Sequence, residues 1–248
     1  EERDAHPATL PGEGPLVQGR DYRCQVFLAP HADGVIAIGQ ASHGRMCGQL
    51  ARAWGAVGPD GARPDEEVCL AAEQHDSGWS ERDIDVPLDA ERGLPQTFAT
   101  TDLEVRLAIT GPWIDRLTLQ SRYAALLASL HHCSFFTRPT AVGGLRRNGR
   151  AIRDFLDREE ARQAELRATV TRSRAEIERD RLLVKAWDGI SHDVVLERLP
   201  STRPAVPVAS GSCELHVDRA GAAIAVDPWP FAPDRVSVRV EGRLLRGA

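Results

Sequence analysis

The sequence predicts a mostly α protein: a helical bundle entered through an N-terminal β-hairpin and left through a small C-terminal antiparallel β appendage. Two observations carry this expectation. Apolar residues recur at helical spacing between about residues 42 and 197, and short β-rich runs bounded by Pro and Gly lie before and after that stretch. No repeat of about 20 to 50 residues appears, which sets a solenoid aside. The organisation that follows is a loose leader over 1–19, a helical domain with its hairpin over 20–200, and a β appendage over 201–248 packed on the same domain.

The leader is proline-rich and lacks apolar periodicity. Tyr22 to Leu28 and Gly34 to Ile38 read as strands separated by Pro30 and the Ala32-Asp33 turn signal. Ser42 then serves as N-cap of a helix with Met46, Leu50 and Trp54 at i, i+4 and i+8, stopped by Gly55, so that His43 falls in the first turn. A second helix opens near Pro64. Asp65, Glu66 and Glu67 suit its positive end, and it carries Val68, Ala71, Ala72 and His75 before ending around Gly78.

Pro87, Gly93 and Pro95 make Asp83 to Phe98 a loop. Helix resumes from Leu103 to Phe136, bent or interrupted at Gly111-Pro112, because proline removes a donor and crowds the preceding turn. From Asn148 to Glu197 an Arg, Glu, Ala and Leu background with interspersed Ile152, Phe155, Leu156, Leu166, Val170, Ile177, Leu182 and Val184 predicts one or two long amphipathic helices. After Pro200, short strands are expected at Cys213 to Val217, Ala222 to Val226 and Val236 to Val240.

Composition narrows the function classes. With 248 residues, 42% hydrophobic and 27% charged, the chain can bury a sizeable core. Its net charge of -5, with basic residues dispersed, gives no footprint for nucleic acid, so a small-molecule substrate is expected. No apolar run reaches the roughly 18 residues of a membrane span, and no apolar signal core opens the chain, so no membrane partner and a cytoplasmic location are expected. The oligomeric state stays open, with a homodimer one option. Cys24, Cys47, Cys69, Cys133 and Cys213 are odd in number and scattered, which predicts reduced, mostly buried thiols. Phosphate-loop and serine-elbow motifs are missing, and Gly143-Gly144 is too short for a phosphate cradle.

Three segments can supply chemistry. In AAEQHDSGW an apolar helical stem delivers His75 and Asp76 side by side; His43 lies at the start of one helix; and in LLVKAWDGIS, Asp188 follows Leu182, Leu183, Val184 and Trp187. A carboxylate among apolar neighbours is costly unless it is paired or binds a cation. Two imidazoles and two carboxylates suit Fe, Mn, Zn, Co or Ni better than Ca, and four protein ligands leave room for water or substrate. Asp76, with two oxygens, can bridge to a second ion.

The order His43, His75-Asp76, Asp188, with Asp188-Gly189-Ile190-Ser191 as an Asp-x-x-Ser, resembles the H…HD…D pattern of the HD-domain metal-dependent phosphohydrolase superfamily. The chain also resembles a narrower bacterial family, domain-of-unknown-function family 3891. Four segments carry that resemblance: IGQASHGRMCGQLARAWG, AAEQHDSGW with the Pro87 loop, SLHH (Ser129 to His132) and DPWPF (Asp227 to Phe231). It implies an HD-domain-like helical bundle with His43, His75, Asp76 and Asp188 as ligands of one or two divalent transition ions. The chain departs from the superfamily at Ser77-Gly78-Trp79, where many of its hydrolases place a basic residue.

Further candidates surround this set. The resemblance implies additional histidines for a second ion, and His131 or His132 is a candidate for that role or for substrate contact; neighbours on a helix point about 100° apart, so at most one is expected to face the site. Asp76, His131 and Arg45 are the candidate catalytic groups, with Arg45 and Arg82 the nearest basic residues for anion binding. Trp79, His132 and His192 are the candidate substrate-pocket residues, although a solvent-facing role for His192 is the plainer one. Cys47, Glu73 and Gln74 are expected to pack or face solvent, and Asp227-Pro-Trp-Pro-Phe to be a rigid connection anchored by Trp229. Three functions remain open: an HD-type metal-dependent hydrolase, an HD-type iron-dependent oxygenase, and a non-catalytic metal-binding or structural protein.

Overall fold

The N-terminal hairpin is two strands of a three-stranded sheet. In the computed structural model, which describes residues 26–58, 61–98, 100–137 and 142–246, with side chains in the last segment from 149 onward, β1 (Val26–His31) and β2 (Gly34–Gly39) pair antiparallel from Val26↔Gly39 to His31↔Gly34. A late strand, β6 (Arg243–Arg246), adds to the other edge of β2, giving the order β1-β2-β6. The crossing is tight at Gly34, whose φ of +142° is open to glycine and where a Cβ would stand 2.1 Å from the Leu245 carbonyl oxygen. Pro30 lies in the edge strand β1, where a missing N–H is tolerated. The leader, Cys24 and the start of the predicted first strand lie outside the described residues.

A second antiparallel sheet, β3 (Ser201–Val208), β4 (Gly211–Ala220) and β5 (Ala223–Asp227), has the order β3-β4-β5. The expectation of a mostly α protein is therefore wrong: the chain is 49% helical and 21% strand, a mixed α/β fold with two three-stranded sheets. Val206, Leu215 and Val217 of the second sheet are buried in the main core with Trp54, Trp187 and Phe231, whose rings meet edge to face at 5.7 Å (Trp54–Trp187) and 5.0 Å (Trp54–Phe231).

Helix α1 (Gln40–Ala53) starts two residues before Ser42 and lacks a side-chain cap from its own N-cap residue, Gly39. The Asp83 carboxylate takes that place from a distance, accepting from the Ala41 N–H at 3.4 Å. Helix α2 (Glu66–Gln74) is capped by Asp65, whose carboxylate accepts from Val68 N–H, and ends at His75. A 3-10 turn (Ser77–Trp79) and short α3 (Ser80–Ile84) occupy the start of the predicted loop.

Helix α4 (Leu103–Leu117) runs through Pro112 instead of breaking there. Pro112 and Ala108, the residue whose carbonyl loses its partner, both lie on the exposed side, where water can take the missing donor's place. The break falls at 118–121, where Ser121 caps α5 (Arg122–Phe136) by accepting from Ala124 N–H. The long charged stretch forms two helices, α6 (Val142–Arg167) and α7 (Arg174–Val195), the second opened by a Ser173–Glu176 capping box. Val236 to Val240 is not a strand. The Gln49 side-chain amide donates to the Arg239 carbonyl at 2.8 Å and accepts from its N–H at 2.9 Å, making the bonds a neighbouring strand would make.

Candidate metal centre

Helices α1, α2, α5 and α7 pack against one another and bring their polar residues to one buried place. The α1–α2 contact is close because residue 44 is glycine; a Cβ there would lie 2.5 Å from the Glu73 carbonyl oxygen. That approach sets the His43 and His75 rings 5.4 Å apart, edge to face.

His43, fully buried, shares a hydrogen bond between Nδ1 and Ser191 Oγ at 2.6 Å and places Nε2 3.0 Å from Asp188 Oδ1. His75 donates Nδ1–H to the Ala72 carbonyl at 2.8 Å, which leaves Nε2 facing inward. That Nε2 stands 3.2 Å from Asp76 Oδ2 and 3.6 Å from Asp188 Oδ1, without the alignment of a hydrogen bond to either. From α5, His131 Nε2 is 3.6 Å from Asp188 Oδ2, and His132 Nε2 is 3.6 Å from Asp76 Oδ1. From α7, His192 Nε2 is 3.3 Å from Asp188 Oδ1. Phe27 of β1 closes one side, 4.9 Å from both the His43 and His192 rings, and Phe135 packs on His131 at 4.9 Å.

The electrostatics of this cluster favour a cation. Burial opposes charging Asp76 and Asp188, yet the surrounding imidazoles, His75 foremost for Asp76 and His192 for Asp188, hold both carboxyls well below the usual range, so both stay ionised. Burial likewise opposes charge on His75, but the Asp76 and Asp188 carboxylates raise its pKa well above the ordinary imidazole value. Burial pushes His131 down to about 3 and His192 down to about 4, leaving them neutral near pH 7 with a ring nitrogen lone pair available for coordination. His75 Nε2 and both His131 ring nitrogens are buried with no hydrogen-bond partner. Orphaned nitrogens beside two ionised carboxylates fit a bound metal ion: three groups, His43/Asp188/His192, His43/His75/Asp76 and His75/His131/Asp188, each bring their ligand atoms within 4.8 Å of one another.

The structure thus brings together His43, His75, Asp76 and Asp188, and adds His131, His132 and His192. The two adjacent histidines both reach the cluster because it has two carboxylates: His131 turns to Asp188 and His132 to Asp76. The remaining residues have other partners. Arg45, two positions and about 200° round the helix from His43, is exposed. Arg82 reaches Gln96 Oε1 at 3.4 Å. Trp79 is buried against Phe98, with ring centroids 5.8 Å apart. Cys47 is buried with its sulfur 3.8 Å from His43 Nε2, and burial raises its pKa, which keeps it a thiol. Glu73 pairs with Arg52, and the Gln74 carbonyl accepts from Trp113 Nε1. In DPWPF the buried anchor is Phe231, whereas Trp229 is 42% exposed. Cys47, Cys69, Cys133 and Cys213 are free thiols.

Sequence reasoning gave no role to Ser191, which orients His43, or to Phe27. The signal for the first was present: Asp188, Ser191 and His192 stand at i, i+3 and i+4, one face of a helix.

Fold and site together define a mixed α/β protein with a buried His/Asp centre able to hold a metal ion. The chain belongs to the family described as protein of unknown function (DUF3891), whose model matches residues 28–247. No curated protein and no solved structure matches it. Among the described residues, no helix is long and apolar enough to cross a membrane.

Proposed function

We propose that this protein is a metal-dependent hydrolase of HD type, acting in the cytoplasm on a phosphoester or related small-molecule substrate. The observation that carries the proposal is the convergence of His43, His75 and His131 nitrogens on Asp188 in a buried setting, with His75 Nε2 and His131 left without hydrogen bonds. The chain order of His43, His75-Asp76 and Asp188 supports the HD-type assignment through its resemblance to that superfamily's ligand order. A divalent transition ion (Fe, Mn, Zn, Co or Ni) held here lowers the pKa of water enough to make a nucleophile near neutral pH. The protein's own share is to fix ligand geometry: Ser191 and the Ala72 carbonyl set which nitrogen of His43 and His75 faces inward, and Phe27 screens His43 and His192 from water.

A second reading, an HD-type iron-dependent oxygenase, is favoured by one observation. Each of the three ligand groups is two histidines and a carboxylate, the donor set associated with non-haem iron and oxygen chemistry.

The test begins with elemental analysis of full-length protein purified without a metal-affinity tag. Protein reloaded with each ion is then assayed against phosphomonoesters, phosphodiesters and carboxylic esters, and with iron(II) in an oxygen electrode. Hydrolysis that disappears in Asp188→Ala is the expected result. Iron-dependent oxygen uptake without hydrolysis selects the second reading. Tight metal retention with neither activity leaves a non-catalytic metal-binding protein, and a chain that retains no ion ends both enzyme readings and leaves the structural one.

A further inference from the structure

The two neighbouring histidines of α5 have different jobs, and the hydrogen bonds separate them. We infer that His131 is a metal ligand of the centre, while His132 is a positioning residue that fixes the His75-Asp76 turn and does not bind the ion; this rests on the metal reading above.

His132 Nε2 lies 2.9 Å from the His75 carbonyl oxygen. A carbonyl can only accept, so Nε2 must carry the hydrogen, and a protonated ring nitrogen has no lone pair for a metal. The same nitrogen is the one that faces the cluster, 3.6 Å from Asp76 Oδ1. The nitrogen that His132 turns toward Asp76 is therefore already committed to the backbone.

His131 is the reverse case. It is 1% exposed, its Nδ1 and Nε2 have no hydrogen-bond partner, and Nε2 stands 3.6 Å from Asp188 Oδ2 and belongs with His75 and Asp188 to one ligand group. Leaving a buried polar atom unpaired is costly, and an imidazole with two such atoms is stable in this place when a ligand takes one of them.

The bond from His132 explains how α5 contributes to a site whose nearest ligands sit on the end of α2. His75 is the C-cap of α2 and Asp76 follows it at φ -110° and ψ 8°, so the helix has stopped and its last carbonyls need donors. His132 supplies one to the His75 carbonyl, and Trp113 Nε1 supplies the next to Gln74 at 2.7 Å. Together they pin the turn from which both side chains project, in the manner of outer-shell partners of metal ligands.

The experiment compares full-length wild type with His131→Ala, His131→Asn, His132→Ala and His132→Gln, each reloaded with zinc or cobalt(II). Ion-to-protein ratio, affinity against a competing chelator, and the visible spectrum of the cobalt form are measured, with circular dichroism to confirm folding. Both His131 variants are expected to lower the ion-to-protein ratio and to shift the cobalt bands. His132→Ala should keep the ratio and the bands but weaken affinity about 10- to 100-fold, the range for outer-shell partners. His132→Gln, whose amide N–H can reach the same carbonyl, should recover most of that loss. Loss of an ion in both His132 variants, or an unchanged ratio and spectrum in a folded His131 variant, overturns the assignment while leaving the metal reading intact. A wild-type chain that retains no ion overturns both.

Discussion

Helices α5, α6 and α7 carry buried polar groupings of two kinds, and the two are built on opposite principles. Around Asp180 and Glu159, each fully or almost fully buried, the acceptors are taken up by protein donors. Tyr123 Oη donates to Asp180 Oδ2 at 2.6 Å and Arg179 Nε to Oδ1 at 2.9 Å, while Ser129 Oγ donates to Glu159 Oε2 at 2.7 Å and Arg162 covers Oε1. Two turns further along α7, Asp188 sits among imidazoles of which His75 and His131 keep nitrogens without a partner. A satisfied network is a structural device, and an unsatisfied one among ionised carboxylates at similar burial is a place that could hold an ion.

The largest effect should come from Asp188→Ala, which removes the group facing four imidazoles; the ion-to-protein ratio by elemental analysis should fall to near zero. Asp180→Ala is the matching perturbation of the other grouping. It should cost about 3 kcal/mol in a denaturant melt, the scale for breaking a buried charged pair, while leaving metal content unchanged. Should Asp180→Ala empty the site as Asp188→Ala does, the contrast between the two regions fails.

Metal removal sharpens the same comparison. An ion present at about 100 times its dissociation constant contributes about 2.7 kcal/mol to stability, so chelation should lower the melting temperature of wild type and of Asp180→Ala, and leave Asp188→Ala unmoved. Proton and ion compete for His75 Nε2, whose basicity the two carboxylates raise, so ion retention measured by dialysis should fall as the pH drops. The smallest effect is expected for Glu159→Gln, about 1 kcal/mol, since the amide can still accept from Ser129.

Much of the centre was readable in sequence because local signals mark the helix that ends on His75 and the apolar run that leads to Asp188. Asp65 and the following acids announce α2, which ends on His75, and an acid after Leu182, Leu183, Val184 and Trp187 announces Asp188. His132 was harder to place, since nothing local shows that it turns to Asp76 while its neighbour His131 turns to Asp188. The fold class failed for a different reason. Strand β6 is only four residues and its pairing with β2 spans the chain, while β3 holds Pro204 and Pro207, so neither carries the run by which periodicity is recognised. At Pro112, local chemistry predicted a break that an exposed carbonyl made unnecessary.

The strand that returns from residue 243 to lie along β2 gives the last described stretch of the chain a grip on the hairpin that carries Phe27, and Phe27 leans on two of the clustered imidazoles. Trimming Arg243 to Arg246 would therefore loosen a wall of the centre from the far end of the polypeptide. That strand acts as a drawstring on the centre through the hairpin it grips.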